Sequence, residues 1–256
     1  MRSRRSDGIW IVLAGLMAFT AAVHALPTPP MALDQIVSNN RHAVDGQQDT
    51  SGVESMEIGL AMQDHGQAFD ADYKVTRDGR MRIDILKSGK RVYTEAYDGH
   101  RGWDLGQDGS APVEDPHGAA LWHGTQFPGG IFALSDMKAN GHSLEYTGRE
   151  KVGGVDYYVL KLTLSDGFVT YRYVNPKTWL IDRSRDFRAF HPALDPHATW
   201  VETRWSDYRP MEGLRYAFTS VDVDLNTGEQ LATQKITSFR LNPKFDPALF
   251  EMPAAE

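Results

Sequence analysis

The stretch Ala96–Leu105, AYDGHRGWDL, places Asp98, His100, Arg101, Trp103 and Asp104 within ten residues. Acids, a histidine and a cation at that density are what general acid–base chemistry requires. The same residues also spell a turn. Asp98-Gly99 and Gly102 supply the backbone freedom of a hairpin, Tyr97 ends one alternating run, and Trp103 begins the next. On that reading His100 and Arg101 sit at an exposed tip, and the segment is structural.

The remaining reactive residues are weaker candidates. Among nine histidines, His117 and His123 stand six apart, as do His191 and His197 in HPALDPH. Neither pair has the H-E-x-x-H spacing that puts two imidazoles on one helix face, and prolines interrupt the second pair. They read as loop residues, and no metal is expected. Asp70 and Asp72 in FDADY, and Asp222 and Asp224 in DVDLN, fall two apart, so each pair shares one face of a strand. The expected place is the solvated face of an antiparallel sheet. A glycosidase or a calcium site would use such acids, but nothing in the sequence sets their partners. There is no G-x-S-x-G elbow, and Ser135 in ALSDM and Ser165 in TLSDG precede an aspartate as capping or turn serines do. The chain has no cysteine, which excludes thiol catalysis, Cys-ligated zinc and a lipid-modified cysteine. The expectation is a protein that is not an enzyme and uses no cofactor.

Which elements carry these residues follows from periodicity. MALDQIVSNNRHAV spaces Leu33, Ile36 and Val37, and less regularly Ala43 and Val44, as one short amphipathic helix does. From Val53 onward the period is two. Phe69, Ala71, Tyr73 and Val75 alternate with Asp70, Asp72, Lys74 and Thr76, and Met81, Ile83 and Ile85 alternate with Arg82 and Asp84. RDGR, KSGK, the GG of KVGGVD, SDG, NPKT and NTGE punctuate further runs to the C-terminus. This predicts about eleven strands in an antiparallel meander. Residues 112–141 interrupt it and suggest a second helical region around Phe132, Leu134 and Met137, stopped at Gly141. A sheet this long must curl or close. The predicted fold is mainly β: one large curled antiparallel sheet forming an incomplete, half-open barrel, with short helices as plug or lid.

At the N-terminus, basic MRSRRSDG, apolar Ile9–Val23 and the small residues of Val23-His24-Ala25 have the layout of a secretory signal peptide, residues 1–25. A membrane anchor is the alternative, but the run is short for a span. SRRSDGIW has the paired arginines of a twin-arginine signal and otherwise matches that pattern poorly, so the export route stays open. Residues 26–256 read as a single domain that opens on the stiff leader LPTPP. A content of 41% hydrophobic and 24% charged residues supports a folded core rather than disorder. The net charge of −7 argues against nucleic acid as a partner. The expected compartment is periplasmic.

Several phrases together resemble a known family. They are YDGHRGW, GREKVGGVDYYVLKL, the YRPMEGL turn and the ending NPKFDPALFEMP. In this order, across nearly all of the chain after residue 25, they are similar to the LolA/LolB-like superfamily of exported lipoprotein-sorting proteins. The resemblance implies an unclosed β-barrel with a helical lid over a hydrophobic cavity. It also implies a partner that is a lipid or a lipidated protein, with inner- or outer-membrane envelope proteins as possible further partners. Absence of a cysteine separates the chain from the anchored outer-membrane receptor type. The residues expected to line the cavity are Tyr73, Ile83, Ile85, Trp122, Phe132, Leu134, Met137, Tyr158, Leu160 and Leu162. A non-catalytic carrier is the leading reading. An envelope-stress sensor or scaffold that binds a protein through the same fold is the alternative, and a hydrolase the third.

Overall fold

Alternating runs pair into a thirteen-stranded antiparallel sheet in the computed structural model, which describes residues 31–46 and 49–254. The first meander comprises β1 (Ser55–Asp64), β2 (Gln67–Thr76), β3 (Met81–Lys87), β4 (Lys90–Tyr97), β5 (Gly102–Gly106) and β6 (Gly109–Pro112). The second comprises β7 (Ser143–Val152), β8 (Val155–Thr163), β9 (Val169–Val174), β10 (Ile181–Ala189), β11 (Ala198–Met211), β12 (Leu214–Asp224) and β13 (Gln230–Leu241). Every neighbour in the sheet is also a neighbour in sequence, except that β1 pairs with β13 and so joins the two meanders. β6 and β7 are left as free edges, and the barrel does not close. The expected mainly β, half-open barrel is what forms.

Two helices sit on its concave side. α1 (Leu33–Asp45) buries Ile36 completely against Leu160, Val174 and Ile181, with Leu33 and Val37 packed beside it. Its Asn40 side chain donates to the Trp179 carbonyl at 2.7 Å, which satisfies a buried amide as burial demands. The chain between the two free edges carries α2 (His117–Gln126). A helix was expected further on, around Phe132, Leu134 and Met137. Instead Pro128, Gly129 and Gly130 interrupt the backbone there, and only a single 3₁₀ turn forms at Leu134–Asp136. Phe132, Leu134 and Met137 are buried as an irregular plug, not as a helical stripe. α2 itself, HGAALWHGTQ, has too weak an apolar stripe to announce itself. The strand count exceeds the expected eleven or so by two, one of them β6, which is only GSAP and has no alternation to detect.

The AYDGHRGWDL segment is the β4–β5 hairpin. The Asp98 carboxylate accepts the backbone N–H groups of His100 and Arg101 at 2.8 and 2.9 Å, and Gly99 takes φ +102°. Gly102 has a packing role. A Cβ there would lie 2.6 Å from Val113 Cγ2 and 2.9 Å from Leu121 Cδ1, so its absence lets α2 settle on the sheet. Trp103 points to the opposite, convex face, where it is fully buried beneath the C-terminal turn Pro247–Phe250.

The expected signal peptide, residues 1–25, and the LPTPP leader lie outside the described residues. Among the described residues no helix is long and apolar enough to cross a membrane.

Candidate functional site

Between α2, the segment after it and the concave face lies a cavity of about 910 Å³. Its walls follow the strand register. Ile58, Tyr73 and Ile83 stand opposite one another on β1, β2 and β3, and Leu60 faces Ile236 across the β1–β13 junction. Tyr216 and Phe218 extend the wall onto β12. Burial pushes the phenols of Tyr73 and Tyr216 well above their ordinary range, so both stay neutral. The alternating face that carries these residues is therefore the interior. The other face of β2–β4 holds the network of Lys74, Arg82, Asp84 and Thr94.

The roof is fastened at both ends of α2. His117 Nε2 lies 3.0 Å from Glu95 Oε1 on β4, and His123 Nε2 lies 2.6 Å from Asp166 Oδ2 in the β8–β9 turn. The His123 ring also packs on Phe168, with centroids 4.2 Å apart. One fastening is on each half of the sheet, so α2 straps the two meanders together. The Tyr73 hydroxyl makes a long contact, 3.5 Å, to the Gly124 carbonyl.

Where the interior passes onto β9–β12 it turns polar. Arg172, Asp186 and Asp222 are all buried on this inner face. Arg188 Nε donates to Asp186 Oδ1 at 2.8 Å, and its Nη2 lies 3.7 Å from Asp222 Oδ1. Asp222 also accepts from the Thr203 hydroxyl at 2.6 Å. The expectation that Asp222 and Asp224 share a solvated face fails for Asp222, because the face they share curls inward and only its rim, at Asp224, meets solvent. Burial raises the Asp222 carboxyl above the usual aspartate range, although Arg188 and Thr203 pull the other way.

At the rim, Asp64, His65 and His191 bring three ligand-type atoms within 4.8 Å of one another. His65 Nδ1 is 2.6 Å from Asp64 Oδ1, and His191 Nε2 is 2.6 Å from Asp64 Oδ2. The His65 contact is a hydrogen bond, whereas His191 Nε2 has no partner of hydrogen-bond geometry despite its approach to Asp64. The histidine pairs noted in sequence do not converge: His197 is exposed and contacts Asp195. Ser135 accepts from Arg41 at 2.9 Å, and the Ser165 backbone N–H donates to His142. Among the described residues neither serine hydroxyl donates to a base that would activate it.

Of the residues expected to line the cavity, Tyr73, Ile83, Ile85, Phe132 and Leu134 do so. Leu160 and Leu162 lie on the concave side but are fully buried, Leu160 under α1 and Leu162 in the core with Met137. Tyr158 stacks on Trp179 with ring centroids 5.4 Å apart, and Trp122 is half-buried against the core. Sequence reasoning missed Arg172, Leu121, Tyr216 and Phe218. Arg172 reads as a surface position in FVTYRYV, where the aromatic face looks like the inner one.

No protein-family model matches the sequence, and no curated protein matches it either. Solved structures do. A LolA superfamily protein from Nitrosomonas europaea superposes with a TM-score of 0.56 at 12% identity, covering 86% of this chain and 98% of that one. A putative outer membrane lipoprotein-sorting protein domain from Vibrio parahaemolyticus gives 0.53 at 10% identity, over 84% and 94% of the two chains. A DUF1329 family protein from Desulfovibrio piger gives 0.52 at 14% identity, over 84% and 97%. The fold is LolA-like.

Proposed function

We propose that this protein is an exported, periplasmic carrier that shelters an acyl chain of a lipid or a lipidated protein, without covalent chemistry. The observation that carries this reading is the cavity of about 910 Å³ enclosed by α2 and walled by Ile58, Leu60, Ile83 and Tyr216. That volume is in the range of small-molecule sites. Each methylene transferred there contributes about 0.8 kcal/mol, so a chain is held firmly and handover requires the roof to open. The strap-like attachment of α2 suits such opening. The similar structure described as a putative lipoprotein-sorting domain makes a lipidated protein one cargo to try. Native mass spectrometry of protein purified from the periplasm, followed by lipid extraction, tests the proposal. Co-purifying acyl species support it. No bound lipid and no uptake of added lipid by the purified protein would sink it.

A second reading has its own observation. On the convex face Phe187, Trp200 and Leu225 are exposed, and Trp200 and Leu225 border a groove of about 520 Å³ with Tyr171 and Arg185. Exposed aromatics clustered in this way suit a protein partner. Crosslinking from position 200 in cells, with recovery of one defined envelope protein, would favour a sensor or scaffold.

A further inference from the structure

Arg172 is the unusual residue of the cavity. It is 2% exposed, yet it lines the cavity wall from the middle of β9. Its Nε has no hydrogen-bond partner. Among the described residues no carboxylate forms an ion pair with its guanidinium. Asp186, whose charge acts on it from the next strand, is already engaged by Arg188 at 2.8 Å and by the Thr170 hydroxyl at 3.1 Å. Other polar groups nearby are also committed. Tyr208 donates to the Ile181 carbonyl, and Asn40 to that of Trp179.

Aromatic rings hold Arg172 in place. Its guanidinium carbon lies 4.7 Å from the centroid of Phe127, which follows α2, and 5.6 Å from that of Trp205 on β11. Such contacts engage the flat face of the cation and leave its N–H edge without acceptors. Burial pulls the group down to about 10, which still leaves it cationic at neutral pH. A buried cation without a hydrogen-bonded counter-charge is costly, and proteins resolve that cost by pairing. Here the residue that carries the cation lines a cavity whose walls are mostly apolar.

We propose that Arg172 is the head-group site of the cavity and receives the carboxylate or phosphate oxygens of an anionic amphiphile whose acyl chain lies along β1–β3 beneath α2. The proposal rests on the carrier reading and narrows it, because a neutral acyl cargo offers the guanidinium acceptor oxygens but no counter-charge. A planar fork of donors suits two oxygens of a carboxylate or a phosphate equally. Phe127 couples the site to the roof: the ring that packs on Arg172 belongs to the segment that must move when α2 lifts.

The test uses delipidated protein and three ligands of one chain length: palmitate, palmitoyl-lysophosphatidate and hexadecanol. Affinities come from calorimetric titration, with ligand-induced thermal shifts alongside. The wild type is expected to bind at least one of the anions about tenfold or more tightly than the alcohol. The preferred anion identifies the source, a free fatty acid or a phospholipid head. Arg172→Met is expected to collapse that ratio toward one, and Arg172→Lys to keep part of it. Arg188 and Arg215 line the same cavity, so an anion preference that survives unchanged in Arg172→Met, or in Arg172→Gln should the methionine variant not fold, overturns the assignment to Arg172. Equal binding of alcohol and both anions overturns the head-group site and leaves the carrier reading standing. Binding of none of the three overturns both.

Discussion

The indole N–H of Trp103 donates to the carbonyl of Phe250 at 2.7 Å, joining β5 to the C-terminal turn on the face opposite the cavity. Both side chains are essentially unexposed. Arg82 reinforces the same junction, donating to the Leu249 carbonyl at 2.8 Å with its guanidinium 5.7 Å from the Trp103 ring centroid. The last turn of the chain is thus a clasp over the convex side of β3–β5. Trp103→Phe removes the donor, leaves the carbonyl unpaired and opens a small void. The expected cost is about 2–4 kcal/mol, read as a lower urea midpoint with an unchanged slope. Lipid uptake at temperatures where the variant is folded should persist, because the cavity is on the other face.

That clasp also marks how far sequence reading reached. Period-two runs gave the strands, and Asp98-Gly99 with Gly102 gave the hairpin, because both signals are local. Alternation distinguishes two faces of a strand without saying which is inside. For β2 and β3 the apolar face is the inner one, so Tyr73, Ile83 and Ile85 were legible as one wall. For β9 and the end of β12 the rule inverts, although Tyr216 and Phe218 earlier on β12 still face the interior. Thr170, Arg172 and Asp222 are buried inside, while Tyr171 borders the convex groove. Leu160 and Leu162 face the concave side, but α1 and the plug before β7 fill the space in front of them. Only the long-range placement of those two elements decides which part of the concave face stays open.

Glu202 predicts an acid-sensitive convex face. Its side chain is 1% exposed and accepts from Arg183, Arg185 and Arg204 at 2.8, 2.7 and 2.6 Å. Burial pushes its carboxyl up, but the hydrogen bonds from Arg204 and Arg185 and the charges of Arg183 and Arg185 outweigh burial and hold it below the usual 4.5. A depressed carboxyl stabilises fully above its unfolded value and loses that contribution as pH falls through the folded one. Wild-type melting temperature should therefore drop on acidification below about 4.5. Glu202→Gln should be less stable at neutral pH by about 1–3 kcal/mol, because the three arginines it leaves are partly solvated, and should show a flatter acid limb. An acid limb as steep as wild type would refute the assignment.

Asp222 predicts the opposite sign. Its raised carboxyl means that the folded state favours the protonated form, so the ionised form costs stability once pH passes the folded value. Asp222→Asn keeps an oxygen for Thr203 and leaves Arg188 paired with Asp186. The variant should melt above wild type at neutral pH, and the gain should shrink as pH falls and wild-type Asp222 takes up its proton. A variant less stable than wild type at neutral pH would mean that its contact with Arg188 outweighs burial.

The attachment of α2 predicts the kinetics of exchange. His123 and Asp166 join the roof to the β8–β9 turn, whereas His117 and Glu95 join it to β4. Of these two contacts only the first reaches the second meander, so losing it loosens the roof on the far side, where Gln126 Oε1 still lies 3.2 Å from His142 Nε2, while its hinge on β4 remains. Asp166 is partly exposed, with 38% of its side-chain surface accessible, so screening keeps the stability cost of losing the pair below about 1 kcal/mol. His123→Leu retains apolar packing on Phe168 and removes the polar contact, and Asp166→Asn weakens the contact from the other side. Both variants should release a bound fluorescent fatty acid several-fold faster in stopped-flow displacement, with melting temperatures near wild type. Glu95→Gln at the hinge should change release less than either. If release from His123→Leu and Asp166→Asn matches wild type, α2 is a fixed wall, and the chain must enter and leave through the rim at Asp64 and His191.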